Sequence, residues 1–262
     1  MPIFFDQLNR EIKLAEKSDL KIVSIVPSQT EFLFDIGLAD QIVGITKFCI
    51  HPKKYFKSTT KVGGTKTLDI QKIRELQPDI IIANKEENEK SQIEELEKEF
   101  PVYISDIYTL DDSYEMMLSL GEILNKTDES IQLVNQIRES FKNLKHFNNR
   151  RVAYFIWRDP WMLASKNTFI DHILEISGHL NVAKELHSDA RYPAIELAEL
   201  KSLEPFDIYL SSEPYPFKEK HIAELQAEFP LSKIQLVDGE MYSWYGSRLQ
   251  HTAAYLVTVT GN

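Results

Sequence analysis

The chain has 262 residues, of which 43% are hydrophobic and 27% charged, with a formal net charge of −10. The length suits two lobes of about 100–150 residues each, and an acidic field argues against nucleic acid and anionic lipid surfaces as partners. Cys49 is the single cysteine, which excludes an internal disulfide and fits a reducing compartment.

The opening "MPIFFDQLNREIKLAEKSDLK" has no basic start followed by the roughly 7–15 apolar residues of a signal peptide, and no lipidated cysteine. A cytoplasmic location is therefore expected, with the periplasm the expectation for a chain whose signal had been removed. No run reaches the ~18 apolar residues of a membrane span. "FFDQLNREIKL" reads as a hairpin turning at Leu8-Asn9-Arg10, with Asn9 suited to positive φ and a short helix as the rival.

"KIVSIVPSQTEFLFDIG" follows: a buried strand at Ile22 to Val26, then a helix with Ser28 and Glu31 at capping-box spacing and Gly37 at its stop. The runs "QIVGIT", "DIIIA" and "VYISD", separated by helical or turn-rich sequence, predict a parallel sheet with covering helices. From Leu110 to Phe147 the apolar spacing is helical, with a break expected between Asn125 and Asp128.

The alternation then restarts. Strands are expected at "RVAYFIW", "FDIYLSS" and "KIQLVDG", and helices at "FIDHILEISG", "IELAELKSL", "EKHIAELQAEF" and from about Ser247. The phrase "IQKIRELQPDIIIA" is echoed by "LAELKSLEPFDIYL", each a helix, a proline break and a strand, so the two are expected at equivalent places in two lobes. The expected fold class is α/β, with an N-terminal lobe over 1–106, a connecting helical segment over 107–149 and a C-terminal lobe over 150–262.

These patterns, taken with "VGGTKTLDIQKIRELQPDIIIANKEEN", "FIWRDPWMLASKNTFIDHILEISGHLNVA" and "VDGEMYSWYGSRL", resemble the helical-backbone substrate-binding proteins of ABC importers, most of all the members that bind cobalamin. The resemblance covers nearly the whole chain. It implies two lobes joined by a rigid helix, with a metal chelate held in the cleft between them: a corrinoid first, then haem or an iron-siderophore. It implies no intrinsic cofactor and no catalysis.

Loops at the carboxyl ends of the strands are where α/β sheets present ligand contacts. They carry Lys47 and Phe48, then Lys85, then Trp157, Arg158 and Trp161, and finally Tyr242, Trp244, Tyr245 and Arg248, with Tyr192 beside them. Flat aromatic faces suit a macrocycle, and the cations suit its amide or carboxylate arms. Core-anchoring aromatics, and lysines or arginines paired with Glu86 or Glu87, are the competing readings.

Cys49 and His51 flank one residue and could in principle ligate a metal, but two ligands are not a site, and a buried small thiol and a surface histidine are the favoured reading. His172, His179 and His187 read as structural or surface residues. No nucleophile with a spaced base, no phosphate loop and no zinc-protease helix is present. An enzyme would have to draw on Asp159, His51 or Glu240.

In transporting relatives, as the resemblance implies, a glutamate seven positions ahead of each proline docks onto the permease. Here those positions hold Gln71 and Ala198. Loss of docking, and a cytosolic carrier or sensor role, is the resulting expectation, with Glu75, Glu196 or Glu199 as possible substitutes.

Overall fold

The computed structural model describes residues 2–144, 149–186 and 188–260; His187 and the end of the long helical run at 145–148 lie outside the described residues. The chain groups into two compact units. The first comprises Met1–Ile107, Asp111–Arg138 and Tyr245–Gln250, and the second Tyr108–Leu110, Glu139–Trp244 and His251–Asn262.

The first unit opens with the expected hairpin, β1 (Ile3–Phe5) antiparallel to β2 (Glu11–Lys13), with Asn9 at φ 58°. Buried Asp6 builds the turn: one carboxylate oxygen accepts the amides of Leu8 and Arg10, and the other accepts the Ile104 amide at 3.2 Å, which ties the hairpin to the sheet.

Next come β3 (Ile22–Ser24), α1 (Pro27–Asp35), β4 (Ile42–Ile45), α2 (Lys53–Ser58) and the short strands β5 (Thr60–Lys61), β6 (Gly63–Gly64) and β7 (Thr67–Leu68). After them stand α3 (Ile70–Leu76), β8 (Ile80–Asn84), α4 (Lys90–Leu96) and β9 (Val102–Ser105), and then α5 (Leu110–Ile123) and α6 (Thr127–Lys142). The sheet order is β5-β4-β3-β8-β9, parallel throughout. Every residue of β3, β8 and β9 is buried, because helices cover both faces of a parallel sheet; this is why the strands read as continuous apolar runs. Each buried Ile or Val contributes about 1.5–3 kcal/mol.

The expected capping box at Ser28 and Glu31 does not form. Val26 is the N-cap of α1 and Pro27 its first helical residue, where a missing N–H costs nothing. Ser28 is thereby carried into the buried first turn, and Glu31 turns to Arg248. Gly37 does end the helix, at φ 85°. The break between α5 and α6 falls where expected, with Asn125 at φ 57°.

The second unit holds β10 (Arg150–Trp157), β11 (Trp161–Leu163), α7 (Phe169–Ile176), β12 (His179–Asn181), a 3-10 turn at Val182–Glu185, β13 (Ala194–Ile195) and α8 (Leu197–Lys201). These lead to β14 (Asp207–Ser211), α9 (Glu219–Glu228), β15 (Ile234–Val237), α10 (Glu240–Ser243) and α11 (Leu249–Thr260). Its sheet runs β13-β11-β10-β14-β15, with β12 also on β10. β10, β12, β14 and β15 are parallel; only the β11 pairings are antiparallel. The helix expected from Ile195 begins two residues later, since Ile195 belongs to β13.

The echoed phrase has one architectural meaning in both units. α3 leads into β8, which lies between β3 and β9, and α8 leads into β14, which lies between β10 and β15. The copies differ at their caps: Asp69 caps α3 by accepting the Lys72 amide at 3.0 Å, whereas Glu196 makes no side-chain cap to the shorter α8.

Candidate functional site

In the first unit, the segment after β4 presents Lys47 and Phe48 on the surface, with Phe48 49% exposed and the Lys47 Nζ 5.1 Å from its ring centroid. Gly64 permits this: a Cβ there would stand 3.2 Å from the Phe48 ring and 3.3 Å from the Lys47 Cε. Cys49 points the other way, fully buried, with its Sγ 3.2 Å from Thr30 Oγ1 and 3.1 Å from Thr46 Oγ1. Burial pushes its thiol pKa up, so thiolate, the species that binds metal, is disfavoured. His51 is half-buried at the surface. Among the described residues, no group of three histidine, cysteine or acidic side chains could hold a metal ion.

After β8, Asn84 and Asn88 shape the "NKEEN" loop. The Asn84 Oδ1 accepts the amides of Glu86 and Glu87 at 2.8 and 3.0 Å, and the Asn88 Oδ1 accepts the Asn84 amide at 2.8 Å. Such side-chain-to-backbone bonds fix a loop where no ladder can. Lys85 is exposed and pairs with Asp106 at 2.6 Å. Tyr245 is buried and donates its hydroxyl to Glu87 at 2.7 Å, and Arg248 forks onto Glu31.

In the second unit, Trp157 ends β10 and is 39% exposed, meeting Tyr215 edge-on at 5.7 Å. Arg158 is paired with Glu224 at 2.6 Å and with Asp159 at 2.7 Å. Trp161 is not a loop residue: it lies in β11, stacks on Phe217 at 6.1 Å and meets Phe155 edge-on at 5.5 Å, so the core claims its ring. Tyr192 is half-buried beside the Arg191 guanidinium, 5.6 Å from its ring centroid.

Trp244 is buried and donates its indole N–H to Glu213 at 2.9 Å, while Ser243 donates to the same oxygen at 2.6 Å. Burial raises the Glu213 carboxyl pKa against these two bonds. Tyr242 is fully buried among Tyr154, Tyr209 and Tyr255. The loop aromatics of the sequence thus divide. Trp157 and Phe48 present ring surface to solvent, whereas Tyr242, Trp244, Tyr245 and Trp161 serve packing. Of the enzyme candidates, Asp159 is ion-paired with Arg158 and Glu240 opens α10.

Glu213, Glu224, Tyr215 and the Asn84–Asn88 pair escaped the sequence reading. For Glu213 and Tyr215 a signal existed, since "SSEPYPF" follows β14 as "NKEEN" follows β8, and the strand-end rule that selected the other loops applies to it equally.

The profile of the family described as "Periplasmic binding protein" matches residues 22–228. The chain belongs to the periplasmic binding protein family. Among curated members it is 24% identical over 217 residues to the vitamin B12-binding protein of Vibrio parahaemolyticus, covering 80% of this chain and 76% of that one. It is 26% identical over 198 residues to the uncharacterized ABC transporter substrate-binding lipoprotein YvrC of Bacillus subtilis; that match covers 70% of this chain and 62% of the lipoprotein's length.

Solved family members share the fold. The periplasmic vitamin B12 binding protein BtuF of Vibrio cholerae superposes with a TM-score of 0.74 at 19% identity, over 93% of this chain and 97% of that one. The periplasmic heme-binding protein RhuT of Roseiflexus superposes with a TM-score of 0.80 at 17% identity, over 92% and 97%.

Proposed function

We infer that this family member is a non-catalytic binding protein for a metal chelate, with a corrinoid as the first ligand and haem or a ferric chelate as the alternatives. The observation that carries the reading is the alignment with the vitamin B12-binding protein of Vibrio parahaemolyticus over four-fifths of the chain. In support, Phe48 in the first unit and Trp157 in the second each present an exposed ring at a strand end, the kind of flat apolar face on which such a macrocycle stacks. Lys47 and Lys85 supply donors for its peripheral amides or carboxylates.

Tryptophan fluorescence tests this with cyanocobalamin, haemin and a ferric hydroxamate in turn. Saturable quenching by one of them at micromolar or tighter affinity is the expected result. Quenching by none beyond the inner-filter effect would end the chelate reading.

The reading extends to docking. Gln71 and Ala198 are both exposed, each at the second position of its helix, and neither is charged. A protein that keeps its ligand loops without these carboxylates acts as a cytosolic carrier, salvage factor or sensor. Cell fractionation that recovers the native protein in the periplasm or on a lipid anchor would sink this extension.

A second reading is an exported importer component that docks through neighbouring carboxylates. In its favour, Glu75 lies one turn from Gln71 and accepts its amide at 3.3 Å, and Glu199 is exposed beside Ala198. The two readings separate on one measurement: permease binding that disappears in Glu75→Gln/Glu199→Gln supports the second.

A further inference from the structure

Trp157 and Arg158, consecutive residues at the end of β10, are both braced by one face of α9. Tyr215 bridges the first contact: its ring centroid lies 5.7 Å from that of Trp157 and 5.5 Å from that of His221. The second contact is direct, with the Arg158 Nε and Nη2 3.2 and 2.6 Å from the Glu224 carboxylate. His221 and Glu224 are three residues apart on the helix and so share a face.

His221 is held more tightly than a packing residue requires. It is 3% exposed, and its Nδ1 accepts the Lys218 amide at 2.9 Å, so the neutral ring carries its proton on Nε2. Nε2 lies 3.4 Å from the Tyr215 hydroxyl. Phe217 closes the cluster, 4.8 Å from Tyr215 and 5.3 Å from His221. Orientation and tautomer of the imidazole are therefore both set, and Tyr215 is held at its hydroxyl and on its face.

We propose that His221 is a positioning residue for ligand binding: acting through Tyr215, it holds the exposed Trp157 ring in the orientation that stacks on a flat ligand. This rests on the chelate-binding reading above. A ring fixed in advance loses less freedom on binding than one that must be ordered by the ligand. The arrangement is also acid-sensitive. Protonation places a hydrogen on Nδ1 against the Lys218 amide, and of the charged groups around the ring, Lys220 on α9 and Arg158 just beyond β10 oppose the new charge while Glu224 on α9 favours it. Burial, then Lys220 and Arg158, hold the imidazole pKa below its ordinary value.

The test uses a Trp161→Phe/Trp244→Phe background, in which Trp157 is the sole tryptophan, with and without His221→Gln. Glutamine at this helical position can still accept the Lys218 amide, so the cap survives while the ring and its Nε2–H are lost. The readouts are the melting temperature, Trp157 anisotropy between neutral and mildly acidic pH, and quenching by cyanocobalamin and haemin.

The expected result for His221→Gln is a preserved melting temperature, lower Trp157 anisotropy that no longer changes with pH, and an affinity weakened about three- to tenfold. Unchanged anisotropy overturns the proposal, whatever the ligand. Lower anisotropy with unchanged affinity for a compound that quenches Trp157 also overturns it. If neither compound binds the parent, the chelate reading fails on its own, and anisotropy with its pH profile still decides whether His221 positions Trp157.

Discussion

Glu31 on α1 accepts both prongs of the Arg248 guanidinium, Nε at 2.9 Å and Nη2 at 2.6 Å, with the two side chains 14% and 11% exposed. The pair fastens the segment Tyr245–Gln250 to the first unit. Burial still raises the Glu31 carboxyl pKa, even with Arg248 beside it, so removing the arginine strands a carboxylate away from water. Arg248→Ala is expected to cost about 2–4 kcal/mol in urea unfolding at neutral pH, and Arg248→Met/Glu31→Leu to recover most of it. The sign with pH follows from a carboxyl whose folded pKa is raised: the folded state takes up its proton first, so the Arg248→Ala defect shrinks as pH falls toward the ordinary carboxylate range. A defect independent of pH, or a double variant no better than the single, would contradict this account.

Gly246 tests the same attachment without touching charge. A Cβ on it would lie 2.5 Å from the Ser28 carbonyl oxygen and 3.3 Å from its carbon, both backbone atoms that cannot swing aside. Gly246→Ala is therefore expected to destabilise by about 1–3 kcal/mol, and Gly246→Val by more. Gly37 offers the contrast. Its Cβ would meet only the tip of Lys126 at 3.7 Å, so the cost of Gly37→Ala comes from φ 85° alone, about 1 kcal/mol. Thermal or urea unfolding of the three variants gives the ranking; a Gly246→Ala protein as stable as the parent would show that α1 and the 245–250 segment are not fastened this closely.

His179 makes the second unit acid-sensitive. Its ring is 2% exposed, with Nδ1 2.7 Å from the Ser177 Oγ and Nε2 3.2 Å from the Tyr209 hydroxyl. Burial first, and Arg150 second, push its pKa down to about 4 from 6.5. Between these values the unfolded chain binds a proton that the folded chain refuses. Stability is therefore complete above pH 6.5 and falls as pH drops toward 4, by about 2–4 kcal/mol in all. His179→Gln should start lower at neutral pH, because the packing changes, but should lose less between pH 7 and 5. Parallel slopes for the two proteins would show that other groups carry the acid response.

Much of the frame was legible because its causes are local. The strands Ile80–Asn84 and Val102–Ser105 announce themselves by unbroken apolar runs, and Asn9, Gly37 and Asn125 mark turns through the backbone conformation each tolerates. The site was less legible because the roles of its side chains are settled by partners distant in sequence. Nothing near Arg248 points to Glu31, 217 positions away, nor does anything near Arg158 point to Glu224. Ser28 and Glu31 had the spacing of a capping box, but Pro27 suits the first helical position, so Val26 becomes the cap and the helix starts two residues earlier. Trp161 sits four residues from the end of a strand run that looked complete at Trp157; the antiparallel return of β11 places its ring against Phe155 and Phe217, and pairing across a tight turn leaves little trace in composition.

The three tryptophans give the sharpest division between binding and packing. Trp157 is the exposed one, so Trp157→Ala is expected to change stability by less than about 1 kcal/mol while abolishing most of the ligand-induced quenching and weakening affinity. Trp161, half-buried and stacked on Phe217 against the core cluster, behaves oppositely. Its replacement by alanine opens a cavity and should cost about 3–5 kcal/mol, with whatever protein remains folded still binding through Trp157. Trp244→Phe keeps the ring volume but removes the indole N–H from Glu213, leaving a buried carboxylate short of one donor; about 1–2 kcal/mol is the expected loss. Acrylamide should reach Trp157 well ahead of Trp244, which is only 6% exposed. If instead Trp157→Ala unfolds the protein, or Trp161→Ala melts like the parent, the assignment of ring surface at the end of β10 is wrong and the ligand must be sought on Phe48 and its lysines.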